Sequence, residues 1–269
     1  MTMRTARAPA DADVMAARSP ALCRFFGGVM RHQLQRHFHA VRVAKAGPPR
    51  LPRGRAAIVY SNHPSWWDPA LFILLTTTLL RGRKGYGPME AAQIERYRFM
   101  RRIGVFGIEP GTRRGAAAFL RTSSAILADP EAVLWVTAEG AFADPRRRPV
   151  RLRPGTAHLM ARLEGVVAIP LALEYPFWTE RLPEALCRFG EPLQSGDGGS
   201  VAHWQARLEE RLALTMDALA ADAIAREPGR FELVLRGRSG VGGVYDLFRR
   251  ARAAARGERF EPEHGRREA

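Results

Sequence analysis

The chain has 269 residues, and its 42 Lys and Arg outnumber its 27 Asp and Glu, which gives a formal net charge of +15. The length allows one α/β domain with a substantial core, and the charge predicts an anionic partner, although an arginine-rich codon bias also explains it. The two cysteines, Cys23 and Cys187, lie far apart, which argues against a disulfide framework and a cysteine-based zinc site.

The N-terminal part of the chain predicts a tail followed by an amphipathic helix. Residues 1–20 lack the apolar core of a secretory signal and are expected to be disordered. Residues 21–46 combine apolar side chains near helical spacing with arginine and lysine, which predicts a basic amphipathic helix. Such a helix can lie in an anionic membrane interface or pack on the domain, and the pattern leaves both open. No apolar stretch reaches transmembrane length.

The most informative segment is SNHPSWWD, residues 61–68, which follows an apolar run over residues 56–60. The run predicts a buried strand, and Pro64 suits the first position of a following helix. His63 and Asp68 can converge on such a turn, so that the carboxylate holds one ring nitrogen and leaves the other free as a base. The same spacing also arises by chance, so its position at a strand end carries the argument.

Strands and helices alternate along the rest of the chain. Helices are predicted over residues 90–102, 116–128, 154–163, 203–225 and 244–256, and strands over residues 103–108, 132–136, 166–173 and 231–235. Pro170 is expected to mark a strand end or an edge strand. This alternation predicts an α/β fold with a mostly parallel central sheet flanked by helices. One domain over residues 21–256 is expected, with a mobile tail over residues 257–269.

Polar clusters follow several of the predicted strands. They are His63 with Asp68, Arg113 with Arg114, and Glu139-Gly140 with the arginines that follow, among them Arg146 and Arg153. Because sites form at the carboxyl ends of parallel strands, one edge of the sheet is expected to gather these clusters.

The order and spacing of these blocks resemble the glycerolipid acyltransferase family, typified by 1-acylglycerol-3-phosphate acyltransferases. The segment Asn62-His63-Pro64-Ser65-Trp66-Trp67-Asp68 matches the family's His-x4-Asp block. Glu139-Gly140 stands where the family has Glu-Gly-Thr-Arg. Arg153-Pro154-Gly155 stands where the family has a basic residue before glycine, and Ile169-Pro170-Leu171 stands where the family has a strand with an apolar residue before proline. The resemblance covers roughly residues 55–195.

The resemblance implies that His63 deprotonates an acceptor hydroxyl, which attacks the thioester of acyl-coenzyme A or acyl carrier protein, while Asp68 orients His63. It implies no metal and no bound cofactor. Substrate binding would fall to Glu139, Gly140, Arg113, Arg146 and Arg153. The partners would be a lyso-lipid acceptor, the acyl donor and an anionic membrane surface, and the protein would act in lipid biosynthesis at the cytoplasmic face of the membrane, peripherally or monotopically.

Two departures from the family pattern bear on the acceptor. Ala141-Phe142 replaces the family's Thr-Arg, so the arginine credited with binding the acceptor phosphate is absent, and Arg113 aligns only approximately with the second block. Arg146 and its neighbours either compensate or form a solvated loop. Glu139 is either a ligand-binding residue or a structural carboxylate. The acceptor is therefore a lysophosphatidic acid-like lipid or a lipid alcohol without phosphate at that place.

Two other functions fit parts of the sequence. A non-catalytic basic membrane-binding module would explain the charge, and a thioesterase would use the same His63 and Asp68 pair to activate water. Nucleic-acid binding has no recognisable motif here and is not expected. Trp66 and Trp67 either line an acyl pocket or pack in the core.

Overall fold

The computed structural model describes residues 12–45, 47, 51, 54–196 and 198–239. The helices are α1 (Ala12–Ala17), α2 (Pro20–His37), α3 (Asp68–Thr78), α4 (Ala91–Arg96), α5 (Arg113–Leu127), α6 (Gly155–Arg162) and α7 (Val201–Ala225), with two 3-10 helices at Arg98–Ile103 and Pro228–Arg230. The strands are β1 (Ala40–Ala44), β2 (Ala57–Ser61), β3 (Lys84–Glu90), β4 (Val105–Ile108), β5 (Ala132–Thr137), β6 (Val167–Glu174), β7 (Glu184–Phe189), β8 (Leu193–Gln194) and β9 (Phe231–Arg236).

These strands form one mostly parallel sheet. Its order is β4-β3-β5-β2-β6-β7-β1-β9, with β8 paired to β6. The strands from β4 to β6 in this order all run parallel, whereas β7 is antiparallel to β6 and β9 is antiparallel to β1. The predicted α/β fold class is therefore confirmed, and β2 lies in the middle of the sheet.

Strand β2 shows why the sheet is covered on both faces. All five of its residues are buried. Ile58 and Tyr60 pack in one core cluster with residues of α5, α6 and α7, and Ala57 and Val59 pack in a second cluster with residues of α2 and α3. Alternate side chains of a strand point to opposite faces, so a continuous apolar run requires helices on both.

The N-terminal tail prediction is wrong for residues 12–20. Helix α1 lies there, and its Val14 is buried in the core. Ser19 then caps α2 by accepting a hydrogen bond from the Leu22 amide, with Pro20 in the first turn. This segment is ordered because it packs on the domain, which its polar composition did not indicate.

The helix predicted over residues 21–46 is shorter than expected. Helix α2 ends at His37, and β1 occupies the end of the segment between β7 and β9. Val41 and Val43 are β-branched and fully buried, so pairing with two strands outweighs the local helical pattern.

Pro170 lies inside a central strand, contrary to the edge or strand end that was predicted. On one side of β6 it is aligned with Tyr60 of β2. On the other side it stands between the stretch paired with β8 and the stretch paired with β7, and its carbonyl accepts from the Gly190 amide. The missing N–H of Pro170 is tolerated because, on this second side of β6, neither β7 nor β8 is aligned with Pro170.

Two predicted segments, the helix over residues 244–256 and the tail over residues 257–269, lie outside the described residues. In the part of the chain that the structure describes, no helix combines the length and apolar character needed to cross a membrane.

Candidate active site

The sheet brings the His63 segment, the Glu139 segment and the end of β6 side by side. Ser61, the last residue of β2, is aligned with Thr137 of β5 and with Leu171 of β6. Because these strands are parallel, the residues that follow them emerge at the same edge of the sheet. The predicted gathering of His63 and Glu139 at one edge is confirmed by their contact, described below.

Asn62 fixes the path of the chain as it leaves β2. Its side-chain amide nitrogen donates to the Leu173 carbonyl at 3.0 Å, and its side-chain oxygen accepts from the Leu173 amide at 2.9 Å. Asn62 is buried, so this two-point contact is shielded from water. It ties the turn before His63 to the end of β6.

His63 and Asp68 form the pair that their spacing predicted. His63 Nδ1 lies 2.6 Å from Asp68 Oδ2, and the ring is partly exposed while the carboxylate is fully buried. An ionised carboxylate only accepts hydrogen bonds, so Nδ1 carries the proton and Nε2 is left as the basic nitrogen. The pair therefore has the geometry of a general base and the residue that orients it.

The helix after the motif begins later than predicted. It starts at Asp68, with Pro69 in its first turn, and Pro64 lies in the preceding loop. Asp68 is thus at the helix N-terminus, where the helix dipole favours a negative charge. Its Oδ2 also accepts from the Ser65 amide at 3.3 Å. The later start lets the carboxylate fold back onto His63.

Tyr175 completes the environment of the carboxylate, and the sequence did not single it out. Its hydroxyl donates to Asp68 Oδ1 at 2.6 Å. Burial raises the pKa of Tyr175 well above its ordinary value, and the nearby charge of Asp68 adds to the effect. Tyr175 follows β6, and only the pairing of β6 with β2 in the folded chain brings it to Asp68.

Glu139 is brought to the site as predicted, but it contacts the protein backbone there. Its Oε2 accepts from the His63 main-chain amide at 2.9 Å. The His63 carbonyl in turn accepts from the Ala143 amide at 3.0 Å. The main chain of His63 is therefore held on both sides, which fixes the direction of its imidazole.

Gly140 allows Arg153 to lie across the turn after β5. Gly140 has a φ of 71°, and a Cβ atom there would stand 2.8 Å from Arg153 Cγ. A side chain would be strained by the backbone and would collide with Arg153. The two predicted residues thus pack against each other.

Phe142 covers one face of the candidate base. Its ring centroid is 4.2 Å from that of His63, and the residue is 62% exposed. A cleft of about 270 Å³ opens beside it, and its polar lining includes Glu139, Arg147 and Arg153. In the described part of the chain neither of these arginines forms an ion pair, so both can bind an anion.

The other two predicted arginines are not placed beside His63. Arg146 pairs through two nitrogens with Asp144, at 2.9 and 2.6 Å, and does not line the cleft. Arg113 is the first residue of α5, which follows β4 at the sheet edge. Three strand spacings of about 4.8 Å, roughly 14 Å in all, separate β4 from β2, the strand that leads into His63. Arg147 takes the place at the cleft that Arg146 was expected to fill.

The two tryptophans of the motif have different environments. Trp67 is half-buried and contacts Phe38 edge to face at 5.2 Å, as expected for a core residue. Trp66 is 75% exposed. Core packing is therefore confirmed for Trp67 alone.

Comparisons with known proteins decide the family. Residues 42–174, almost half of the chain, match the Acyltransferase family. This region of the chain belongs to the acyltransferase family. No curated protein matches its sequence. The fold of this acyltransferase is similar to the crystal structure of the 1-acyl-sn-glycerophosphate acyltransferase PlsC from Thermotoga maritima, with a TM-score of 0.53 and 15% identity over 75% of this chain and 79% of that chain.

Proposed function

We propose that this acyltransferase moves a fatty acyl group from a thioester donor to the hydroxyl of a lyso-lipid in lipid biosynthesis. The observation that carries the proposal is the 2.6 Å contact between His63 Nδ1 and Asp68, which leaves Nε2 free on a partly exposed ring. Nε2 takes the proton of the acceptor hydroxyl while the hydroxyl oxygen attacks the thioester carbonyl. The C–S bond then breaks, and the departing thiolate takes the proton from the imidazolium. Asp68 stabilises the imidazolium formed on the way.

The arginines of the cleft suit the anionic parts of these substrates. Arg147 and Arg153 lie beside Phe142, next to the base. Guanidinium groups bind phosphate through paired hydrogen bonds. The phosphates of acyl-coenzyme A, or the acidic surface and phosphopantetheine of acyl carrier protein, are therefore the proposed donor-side ligands of this cleft.

The loss of one lipid class tests the proposed function. In cells that lack the gene, we expect one acylated lipid to disappear and its lyso-lipid precursor to accumulate, and the wild-type gene should restore the parent profile. A thioesterase would instead alter the pool of acyl thioesters without removing a lipid product. An unchanged lipid profile would contradict the proposal.

A substitution at Phe142 tests which acceptor lipid the enzyme prefers. Phe142→Arg places a guanidinium beside His63, and a charge-assisted hydrogen bond is worth about 1.5–3 kcal/mol. We therefore expect kcat/KM for lysophosphatidic acid, relative to a lyso-lipid without phosphate, to rise roughly 10- to 100-fold. Phe177→Arg is the matched control, because Phe177 is also 62% exposed but does not line the cleft. The same ratio in both variants would show that Phe142 does not face the acceptor.

A surface of exposed aromatic and basic side chains supports membrane binding. It consists of Arg24, Phe25, Tyr97, Arg98 and Phe99. Phe25 is 64% exposed, and its neighbour Phe26 stacks on Phe99 at 4.7 Å, which joins α2 to the 3-10 helix. Aromatic residues beside arginine favour the interface of an anionic membrane. We place this surface on the cytoplasmic leaflet, as a peripheral or monotopic contact.

Phe25→Asp tests the membrane contact. The substitution removes an apolar side chain worth about 1.5–3 kcal/mol when buried, so binding to vesicles rich in phosphatidylglycerol should weaken about ten-fold or more. Vesicle flotation measures this effect. Ile224→Asp is the control, because Ile224 is 79% exposed on α7 and outside the proposed surface. Equal binding by both variants would rule out the proposed contact.

A further inference from the structure

The carboxylate of Asp68 is fully buried, and hydrogen-bond donors meet both of its oxygens. Oδ2 faces His63 Nδ1 and the Ser65 amide, and Oδ1 faces the hydroxyl of Tyr175. A buried charge is stable only where its oxygens are satisfied in this way. Tyr175 is the only one of these three partners that lies outside the His-x4-Asp motif, and it also lies just beyond the matched family region.

We propose that Tyr175 is a positioning residue of the acyl transfer reaction, which holds Asp68 so that Asp68 directs the base His63. The inference rests on the proposed role of His63. A carboxylate turns easily about its last bond, and the Tyr175 hydroxyl fixes this rotation by holding Oδ1. Oδ2 is then kept in line with the imidazole.

The surroundings of Tyr175 suit this role. Its ring lies 5.6 Å from that of Phe38, and it follows the stretch of β6 that Asn62 clamps through Leu173. The phenol keeps its proton because burial raises its pKa well above the ordinary value. Tyr175 is thus a fixed donor, and it follows the end of β6 that Asn62 joins to the motif.

The hydrogen bond from the Tyr175 hydroxyl to Asp68 also affects how strongly Asp68 stabilises a proton on His63. A donor at Oδ1 takes up part of the carboxylate charge. Cys187 of β7 also senses this charge, and burial raises the pKa of its thiol so far that it stays neutral. With Tyr175 removed, the carboxylate has one donor fewer and holds the imidazolium more tightly.

Tyr175→Phe, measured against Tyr60→Phe, tests the proposal. Tyr60 is also buried, and its hydroxyl donates to the Leu208 carbonyl at 3.3 Å, away from Asp68. We expect Tyr175→Phe to lower kcat roughly 10-fold and to move the acid limb of the kcat/KM profile to higher pH. Tyr60→Phe should lower Tm without moving the limb. The expected loss disappears when Tyr175→Phe is added to His63→Ala, because the effect passes through His63.

A readout without turnover separates this proposal from the proposed function. The imidazole signals of His63, followed by NMR across pH, should titrate at higher pH in Tyr175→Phe than in the wild type and in Tyr60→Phe. Unchanged titration and an unchanged acid limb in Tyr175→Phe would overturn the positioning role even if the wild type transfers acyl groups. An inactive wild type with the shifted titration would overturn only the proposed reaction.

Discussion

Substitution of His63 by alanine is expected to lower kcat for acyl transfer by roughly 10²- to 10⁴-fold, the range that a general base contributes. The imidazole is the group placed to accept the acceptor's proton, and its main chain is held by Glu139 and Ala143. Without it the hydroxyl must attack the thioester unaided. The measurement is release of thiol from acyl-coenzyme A in the presence of a lyso-lipid acceptor.

His203→Ala controls for loss of a histidine elsewhere. His203 is exposed near the start of α7 and takes no part in the candidate site. The control should keep wild-type turnover. Because His63→Ala removes one donor from the buried Asp68 carboxylate, its turnover is compared with that of the control at a temperature where both variants are folded. If His63→Ala were folded and retained more than a tenth of wild-type turnover, His63 would not be the base.

Asp68→Asn is expected to lower kcat by roughly 10²-fold or more, because an amide has no charge with which to stabilise the imidazolium. The amide also fits the site poorly. Each donor around Asp68, from His63, Ser65 and Tyr175, now faces a carboxylate oxygen, and an NH2 group must replace one of those acceptors. Part of the loss is therefore in the orientation of the ring.

Asp222→Asn separates this effect from loss of stability. Asp222 forms ion pairs with Arg188 and Arg230, at 2.6 and 3.3 Å, away from the site. Its variant should lose stability and keep kcat, whereas Asp68→Asn should lose kcat at a temperature where both are folded. Equal losses of kcat in the two variants would assign Asp68 a structural role only.

The central strands and the contact between His63 and Asp68 could be predicted from the sequence because their signals are local. The apolar runs of β2, β5 and β6 are short and flanked by turn residues, which is typical of buried strands. The pairing of His63 with Asp68 depends on six consecutive residues and one strand end. Such features do not require knowledge of which strands are neighbours.

Contacts between segments that are far apart in the sequence could not be predicted from it. Asn62 forms hydrogen bonds with Leu173, which is 111 positions away in the sequence. Tyr175 forms one with Asp68, which is 107 positions away. Both contacts exist because β2 and β6 are neighbours, which no local pattern encodes. A tyrosine after a strand looks the same whether its hydroxyl meets solvent or a buried carboxylate.

Strand β3 shows how packing overrides local preference. Its Gly85, Gly87 and Pro88 are poor strand formers, and no strand was predicted over these residues. A Cβ atom at Gly85 would stand 3.2 Å from the Thr76 hydroxyl, and one at Gly87 would stand 3.2 Å from the Trp135 carbonyl. Glycine is present because α3 and β5 come close, and this closeness appears only in the folded chain.

In the proposed reaction, His63 activates an acceptor hydroxyl and not water. The direct measurement compares moles of thiol released with moles of new lipid ester, for the wild type and His63→Ala, with and without a lyso-lipid acceptor. We expect wild-type thiol release to require the acceptor, to equal ester formation one to one, and to be lost in His63→Ala. Thiol release that is indifferent to the acceptor, or ester formation that survives in His63→Ala, would contradict it.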